Sequence, residues 1–153
     1  MSPFERLLVA LVHGDVRFFT VGGVACAMAG HVRATDDVDI LIERNPENIA
    51  RLARVLSAWG EGAGGVLTVA DLPDEPGALR ILEEFSLDVF VRLAGLSYAD
   101  LAASASSQPV SADATPVPFL GPEGLIRVKD GSLRERDQDD VRALREILRD
   151  RQP

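Results

Sequence analysis

Apolar positions along this chain recur with two periods, and the changes of period mark out its elements. Leu7, Leu8, Leu11 and Val12 form one stripe at helical spacing. Ser2-Pro3-Phe4-Glu5 ahead of them is a capping box with proline at the first helical position, and Gly14 ends the run. Residues 17–21 (RFFTV) are rich in β-formers and predict a short strand. Gly22-Gly23 then opens VACAMA, a stretch of small residues closed by Gly30 that suits a tightly packed helix. Residues 36–42 (DDVDILI) predict a strand with acids at its beginning. Asn45-Pro46 caps a helix carrying Ile49, Leu52, Val55 and Leu56.

The second half is less regular. Residues 60–65 read as a loop, 66–69 as a strand and 73–76 as a turn. Periodicity does not decide whether 78–85 is a short helix or a strand. Residues 87–93 (LDVFVRL) predict a strand, and Ser97 with Asp100 forms an S-x-x-D cap for a helix reaching 105. Residues 108–118 are polar and proline-containing and read as a connection; 122–130 and 137–149 read as two closing helices. Alternating strands and helices predict a mixed α/β (α+β) fold, a mixed β-sheet flanked by helices. Residues 1–153 form one domain in this reading, with 122–150 as its closing C-terminal helices.

Composition narrows the function classes. At 153 residues and 46% hydrophobic, the chain suffices for one ordinary core and is too apolar for disorder. No apolar run approaches the roughly 20 residues of a membrane helix, and the N-terminal stretch carries an acid unlike a secretion signal. Cys26 is the only cysteine, which excludes an internal disulfide and a multi-cysteine metal site. A soluble cytoplasmic protein without a membrane partner is the expectation. The net charge of −8 argues against nonspecific nucleic-acid binding, yet the charge is uneven. Residues 1–124 hold 8 basic and 17 acidic side chains, whereas 125–153 hold 8 basic and 7 acidic, including the only lysine, Lys129.

Candidate chemistry concentrates in residues 22–41, GGVACAMAGHVRATDDVDIL. Asp37 and Asp39 stand two apart on a strand, so both carboxylates project from one face. Two like charges so close need a cation between them or a proton on one of them, and hard oxygen ligands suit magnesium. Gly22-Gly23 at a helix N-terminus lets a phosphate approach backbone N–H groups. There is no GxxxxGK[ST] P-loop and no G-x-G-x-x-G fingerprint. The pattern is a strand, Gly-Gly, a 13-residue spacer and an Asp-hydrophobic-Asp-hydrophobic strand. Arg33 and Thr35 stand just before the acids. Cys26 and Trp59 read as packing residues.

This pattern resembles the nucleotidyltransferase fold of the DNA polymerase β superfamily, and most closely its small bacterial members of the toxin and abortive-infection type. The resemblance implies Asp37 and Asp39 as magnesium ligands, with a third carboxylate from a later strand; Leu87-Asp88-Val89 fits that position. It also implies a closing pattern matched by Leu125-Ile126-Arg127-Val128-Lys129, followed by Arg136-Asp137 and Asp140. On this resemblance Asp37, Asp39 and Asp88 are the catalytic and metal-binding residues of a two-ion magnesium site. Gly22, Gly23, Arg33, Thr35, Lys129 and Arg136 bind the nucleotide. The implied activity moves an NMP from a nucleoside triphosphate such as ATP to an acceptor hydroxyl on tRNA, protein or a small molecule, releasing pyrophosphate. A toxin–antitoxin role would add an antitoxin protein as partner. The alternative is a catalytically idle relative that binds a nucleotide or a partner. A plain α/β domain would instead leave the three aspartates scattered.

Overall fold

A computed structural model of the chain describes residues 1–152. Its elements are α1 (Pro3–His13), β1 (Phe18–Val21), α2 (Gly22–Ala29), β2 (Asp37–Ile42), α3 (Pro46–Leu56), β3 (Ala78–Leu82), β4 (Ser86–Phe90), α4 (Tyr98–Leu101), β5 (Ala105–Val110), β6 (Thr115–Leu120), α5 (Pro122–Lys129) and α6 (Glu135–Asp150). The strands form one sheet in the order β3-β4-β2-β1-β6-β5. Two neighbours run parallel, β2 with β4 and β1 with β6, and the other three pairs are antiparallel.

Alternation along β2 divides the molecule into two layers. Val38, Ile40 and Ile42 are fully buried on one face, against Leu7, Leu8 and Leu11 of α1 and Ile49, Leu52 and Leu56 of α3. Leu41 points the other way, into a second cluster with Ala25 and Cys26 of α2, Leu125 of α5 and Leu144 of α6. Asp37 and Asp39 share the face of Leu41, because side chains two apart on a strand project together.

Local chemistry fixes the helix ends as expected. Ser2 and Glu5 form both halves of the capping box on α1, Asn45 accepts from the Asn48 N–H to cap α3, and Gly30 ends α2 in the left-handed conformation.

Several expectations fail, each for a physical reason. Residues 66–69 are not a strand: Ala63–Val66 and Val69–Asp71 form two 3₁₀ turns. The Asp71 carboxylate accepts from the Thr68 backbone N–H at 2.9 Å, a local bond that replaces a ladder partner, and Val66 stays 82% exposed. The 108–118 connection is instead a hairpin of β5 and β6. Pro109 is tolerated on an edge strand. Pro116 and Pro118 lie on β6, whose one registered pair with β1 is Thr20–Phe119. Helix 97–105 shortens to one α-turn, α4, followed by a 3₁₀ turn over Ala102–Ser104. The undecided segment 78–85 is strand β3 and the turn into β4. Trp59 and Cys26 pack as expected, Trp59 against Phe85 and Cys26 fully buried.

Asn48 is a buried polar lock between the layers. Its Oδ1 accepts from the Arg17 N–H at 2.7 Å, and its Nδ2 donates to the carbonyls of Arg17 at 2.9 Å and Glu43 at 2.7 Å. It therefore ties α3 to the entry of β1 and the exit of β2. Replacing it takes the partner from the Arg17 N–H and the Glu43 carbonyl, each worth roughly 1–3 kcal/mol when unpaired, while the Arg17 carbonyl keeps its bond from the Glu43 N–H at 3.1 Å. Asn48→Ala is expected to lose roughly 3 kcal/mol in urea unfolding; a loss below about 1 kcal/mol would contradict this role.

Candidate functional site

A single rung of the sheet builds the acidic half of the site. Register places Arg80 of β3 opposite Asp88 of β4, Asp88 opposite Asp39 of β2, and Asp39 opposite Val21, the residue before Gly22. Directly opposed side chains share a face, so Arg80, Asp88 and Asp39 line up, and Asp37 joins from two residues earlier on β2. Asp37, Asp39 and Asp88 each offer a carboxylate oxygen, all within 4.8 Å of one another. The aspartates thus converge rather than scatter. Val38, Ile40, Leu87 and Val89, buried on the opposite face, hold the two strands in this register.

Gly22 and Gly23 border the same cleft, of about 350 Å³. Gly22 has φ +65°, and a Cβ there would collide with the Asp39 carboxylate; a Cβ on Gly23 would lie 2.9 Å from Arg33 Nη1 and Thr35 Oγ1. Only glycines let α2 start this close to the acids and the 31–35 loop. No side chain caps α2, so its first N–H groups remain available at the cleft. Thr35 Oγ1 donates to the Asp37 carbonyl at 3.3 Å, which orders the entry of β2.

Three crowded carboxylates demand compensation. Burial, then the charges of Asp88 and Asp37, push the Asp39 carboxyl up to about 7, against an opposing pull from Lys129. Arg80 supplies the nearest positive charge. Its Nε donates to Asp88 Oδ1 at 2.9 Å and its Nη2 to Asp88 Oδ2 at 3.0 Å, with Nη2 also 3.4 Å from Asp37 Oδ2. Sequence reasoning did not single out Arg80. Only assignment of 78–82 as a strand paired with β4 would have placed it opposite Asp88.

The facing wall is cationic and organised by Asp140, which is fully buried on α6. Asp140 accepts from Arg33 Nε at 2.8 Å and Nη2 at 3.0 Å, lies 3.0 Å from Lys129 Nζ, and is 3.2 Å from His31 Nε2. Burial alone would raise its pKa; the bonds from Arg33 and Lys129 outweigh that and hold it down at about 2. Lys129 Nζ also donates to Asp137 at 3.0 Å, and Ser132 Oγ donates to the other Asp137 oxygen at 2.7 Å. Arg33 and Lys129 therefore line the cleft with their charged groups already engaged. Arg136, expected beside the nucleotide, also lines the cleft, is exposed, and pairs with no carboxylate among the described residues. Arg134 lines it too and was not anticipated, because its loop position carries no periodic signal. All nine residues singled out in the sequence border this one cleft, and Phe90, Leu93 and Val128 give it an apolar side.

No protein-family model and no curated protein matches the chain. Solved structures do resemble it. One is a protein from Thermotoga maritima provisionally assigned as a nucleotidyltransferase: 16% identity, covering 96% of this chain and 91% of that one, TM-score 0.54. Another is an antigenic nucleotidyltransferase-like protein from Paracoccidioides brasiliensis: 17% identity, covering 95% of this chain and 73% of that one, TM-score 0.55. At such identity the likeness is one of fold: a mixed sheet flanked by helices, as the sequence resemblance implied. Among the described residues no helix is long and apolar enough to cross a membrane.

Charging Asp39 works against folding. Its carboxyl ionises near 3.8 ordinarily and at about 7 in the folded chain, so the native state holds the extra proton between those values. Stability contributed by this group falls as pH rises through that window. In EDTA, Asp39→Asn is expected to gain on the order of 2 kcal/mol over wild type at pH 8, roughly half the unscreened linkage value, and nothing near pH 4. Equal gains at both pH values in urea unfolding would refute the assignment.

Proposed function

We propose that this chain is a magnesium-dependent nucleotidyltransferase acting at the cleft between the aspartate rung and the Asp140-organised wall. The observation that carries the reading is the convergence of Asp37, Asp39 and Asp88 beside the uncapped, glycine-lined start of α2. The donor set fits the metal: three hard carboxylate groups, with the Asp39 carboxyl pushed up to about 7 by burial first and then by its acidic neighbours, as expected where a divalent cation is to be held. Magnesium held by the three carboxylates would stabilise charge developing on the attacking and leaving oxygens. The α2 N–H groups at Gly22 and Gly23 bind phosphate oxygens, and Arg134 and Arg136 offset their charge. Asp140 keeps Arg33 and Lys129 in fixed positions along the phosphate path. Asp88 helps to take the proton of the acceptor hydroxyl as its oxygen bonds to the α-phosphorus; the α–β bridging P–O bond breaks and pyrophosphate leaves. The acceptor is a hydroxyl on a tRNA end, a protein or a small molecule, with a toxin–antitoxin role as the finer expectation from the sequence resemblance.

One observation favours a second reading, a catalytically idle nucleotide-binding relative: Arg80 occupies both Asp88 oxygens. Labelled triphosphates incubated with magnesium and with cellular RNA, protein or small-molecule extract separate the two. Transfer is expected, falling at least 100-fold in Asp37→Asn and Asp39→Asn. Transfer unchanged in those variants would sink the mechanism. Magnesium-dependent triphosphate binding without any transfer would establish the idle relative.

A further inference from the structure

Arg80 stands where a cation is needed and is itself a cation. It lies directly across the β3–β4 ladder from Asp88 and grips both carboxylate oxygens, while the same Nη2 reaches Asp37. Two of the three proposed metal ligands are thus already bridged by one guanidinium. A divalent ion and a bidentate arginine need the same oxygen lone pairs, so Asp88 cannot serve both fully.

The two ends of the pair differ in a telling way. The Asp88 side chain is 10% exposed and held by the buried register of β4, whereas the Arg80 side chain is 61% exposed. Asp88 cannot leave; Arg80 can, because its head moves into water without stranding a buried group. Ile81, its neighbour on β3, is buried on the opposite face, so the backbone stays anchored while the side chain swings. Among the described residues no other side chain hydrogen-bonds or ion-pairs with the guanidinium.

We infer that Arg80 is a resident counter-ion for the empty carboxylate cluster, which a divalent cation displaces from Asp88 and Asp37 on entering the site. The inference rests on the metal-binding reading of the three aspartates and adds a cost that this chain imposes on metal entry. Arg80 is a positioning residue here: it bridges Asp88 and Asp37 and offsets part of their charge until the ion arrives, and it lowers the affinity for free metal.

The test is Mn²⁺ binding to the full chain, followed by electron paramagnetic resonance of the free ion, in wild type, Arg80→Gln and Arg80→Lys. Arg80→Gln is expected to bind Mn²⁺ about 10-fold more tightly than wild type. Arg80→Lys keeps the charge without the two-pronged grip and should fall between them. Thermal unfolding supplies a second readout that a purely structural arginine would not give. Arg80→Gln should melt lower than wild type in EDTA, yet gain more from added Mn²⁺. Equal or weaker Mn²⁺ binding by Arg80→Gln, or by folded Arg80→Lys should the glutamine variant not fold, overturns the inference while leaving the metal site standing. Absence of binding below millimolar Mn²⁺ in all three proteins overturns the metal reading and this inference together.

Discussion

Like-charge crowding on two paired strands of the sheet, β2 and β4, is the constraint that the rest of the site answers. Asp37, Asp39 and Asp88 bring their oxygens within 4.8 Å, and they cannot retreat, because their strand neighbours are committed to the core. Val38, Ile40, Leu87 and Val89 are completely buried on the opposite face. Burial of each is worth about 1.5–3 kcal/mol, so four of them outweigh the few kcal/mol of repulsion between partly solvated carboxylates. The strands hold, and the charge has to be met another way. The Arg80 clamp on Asp88 is one answer, and the raised affinity of Asp39 for a proton, which holds its carboxyl up to about 7, is the other.

Asp140 solves the converse problem on the other wall. A fully buried carboxylate is costly unless its oxygens are satisfied, and here Arg33, Lys129 and His31 converge on it. The network pins α6 to α5 and to the 31–35 loop, so that one buried acid sets the distance between the cationic wall and the aspartate rung. It also separates cations that organise from cations that remain free. Arg33 and Lys129 are spent on structure as well as lining the cleft, whereas Arg136 keeps its whole charge for whatever enters.

What the sequence made legible follows from how local each signal is. Period-two alternation in DVDILI placed both acids on one face and both neighbours in the core, and the structure agrees residue by residue. Ser2, Glu5, Asn45 and Gly30 fixed helix ends through bonds spanning three or four residues. Failures came where partners are distant. Arg80 acquires meaning only from the register of β3 on β4, and 78–82 carries no period of its own. The β5–β6 hairpin was hidden by its prolines, whose missing N–H is tolerated because β5 is an edge and β6 registers with β1 at a single pair. Residues 66–69 look like a strand in composition, yet the Thr68–Asp71 bonds win locally. Lys129 and Arg33 line the cleft, and nothing short of the fold reveals that both are tied to Asp140.

Net charge, finally, is a poor guide to the charge this cleft presents. A chain at −8 should repel a triphosphate, but screening confines that repulsion to about 8 Å at physiological salt, so distant acids matter little. Within that radius the two walls have opposite signs: Arg33, Lys129, Arg134 and Arg136 outnumber Asp137 and Asp140 on one, while three aspartates outnumber Arg80 on the other. A bare polyanion would be drawn to one wall and repelled by the other. A bare divalent cation would meet Arg80. A polyanion already carrying a divalent cation presents each wall with its complement, and its own negative oxygens offer the displaced Arg80 somewhere to go. On the proposed reading, the charge arrangement therefore selects the metal–triphosphate pair over either component alone, and it does so through the opposite signs of the two facing walls.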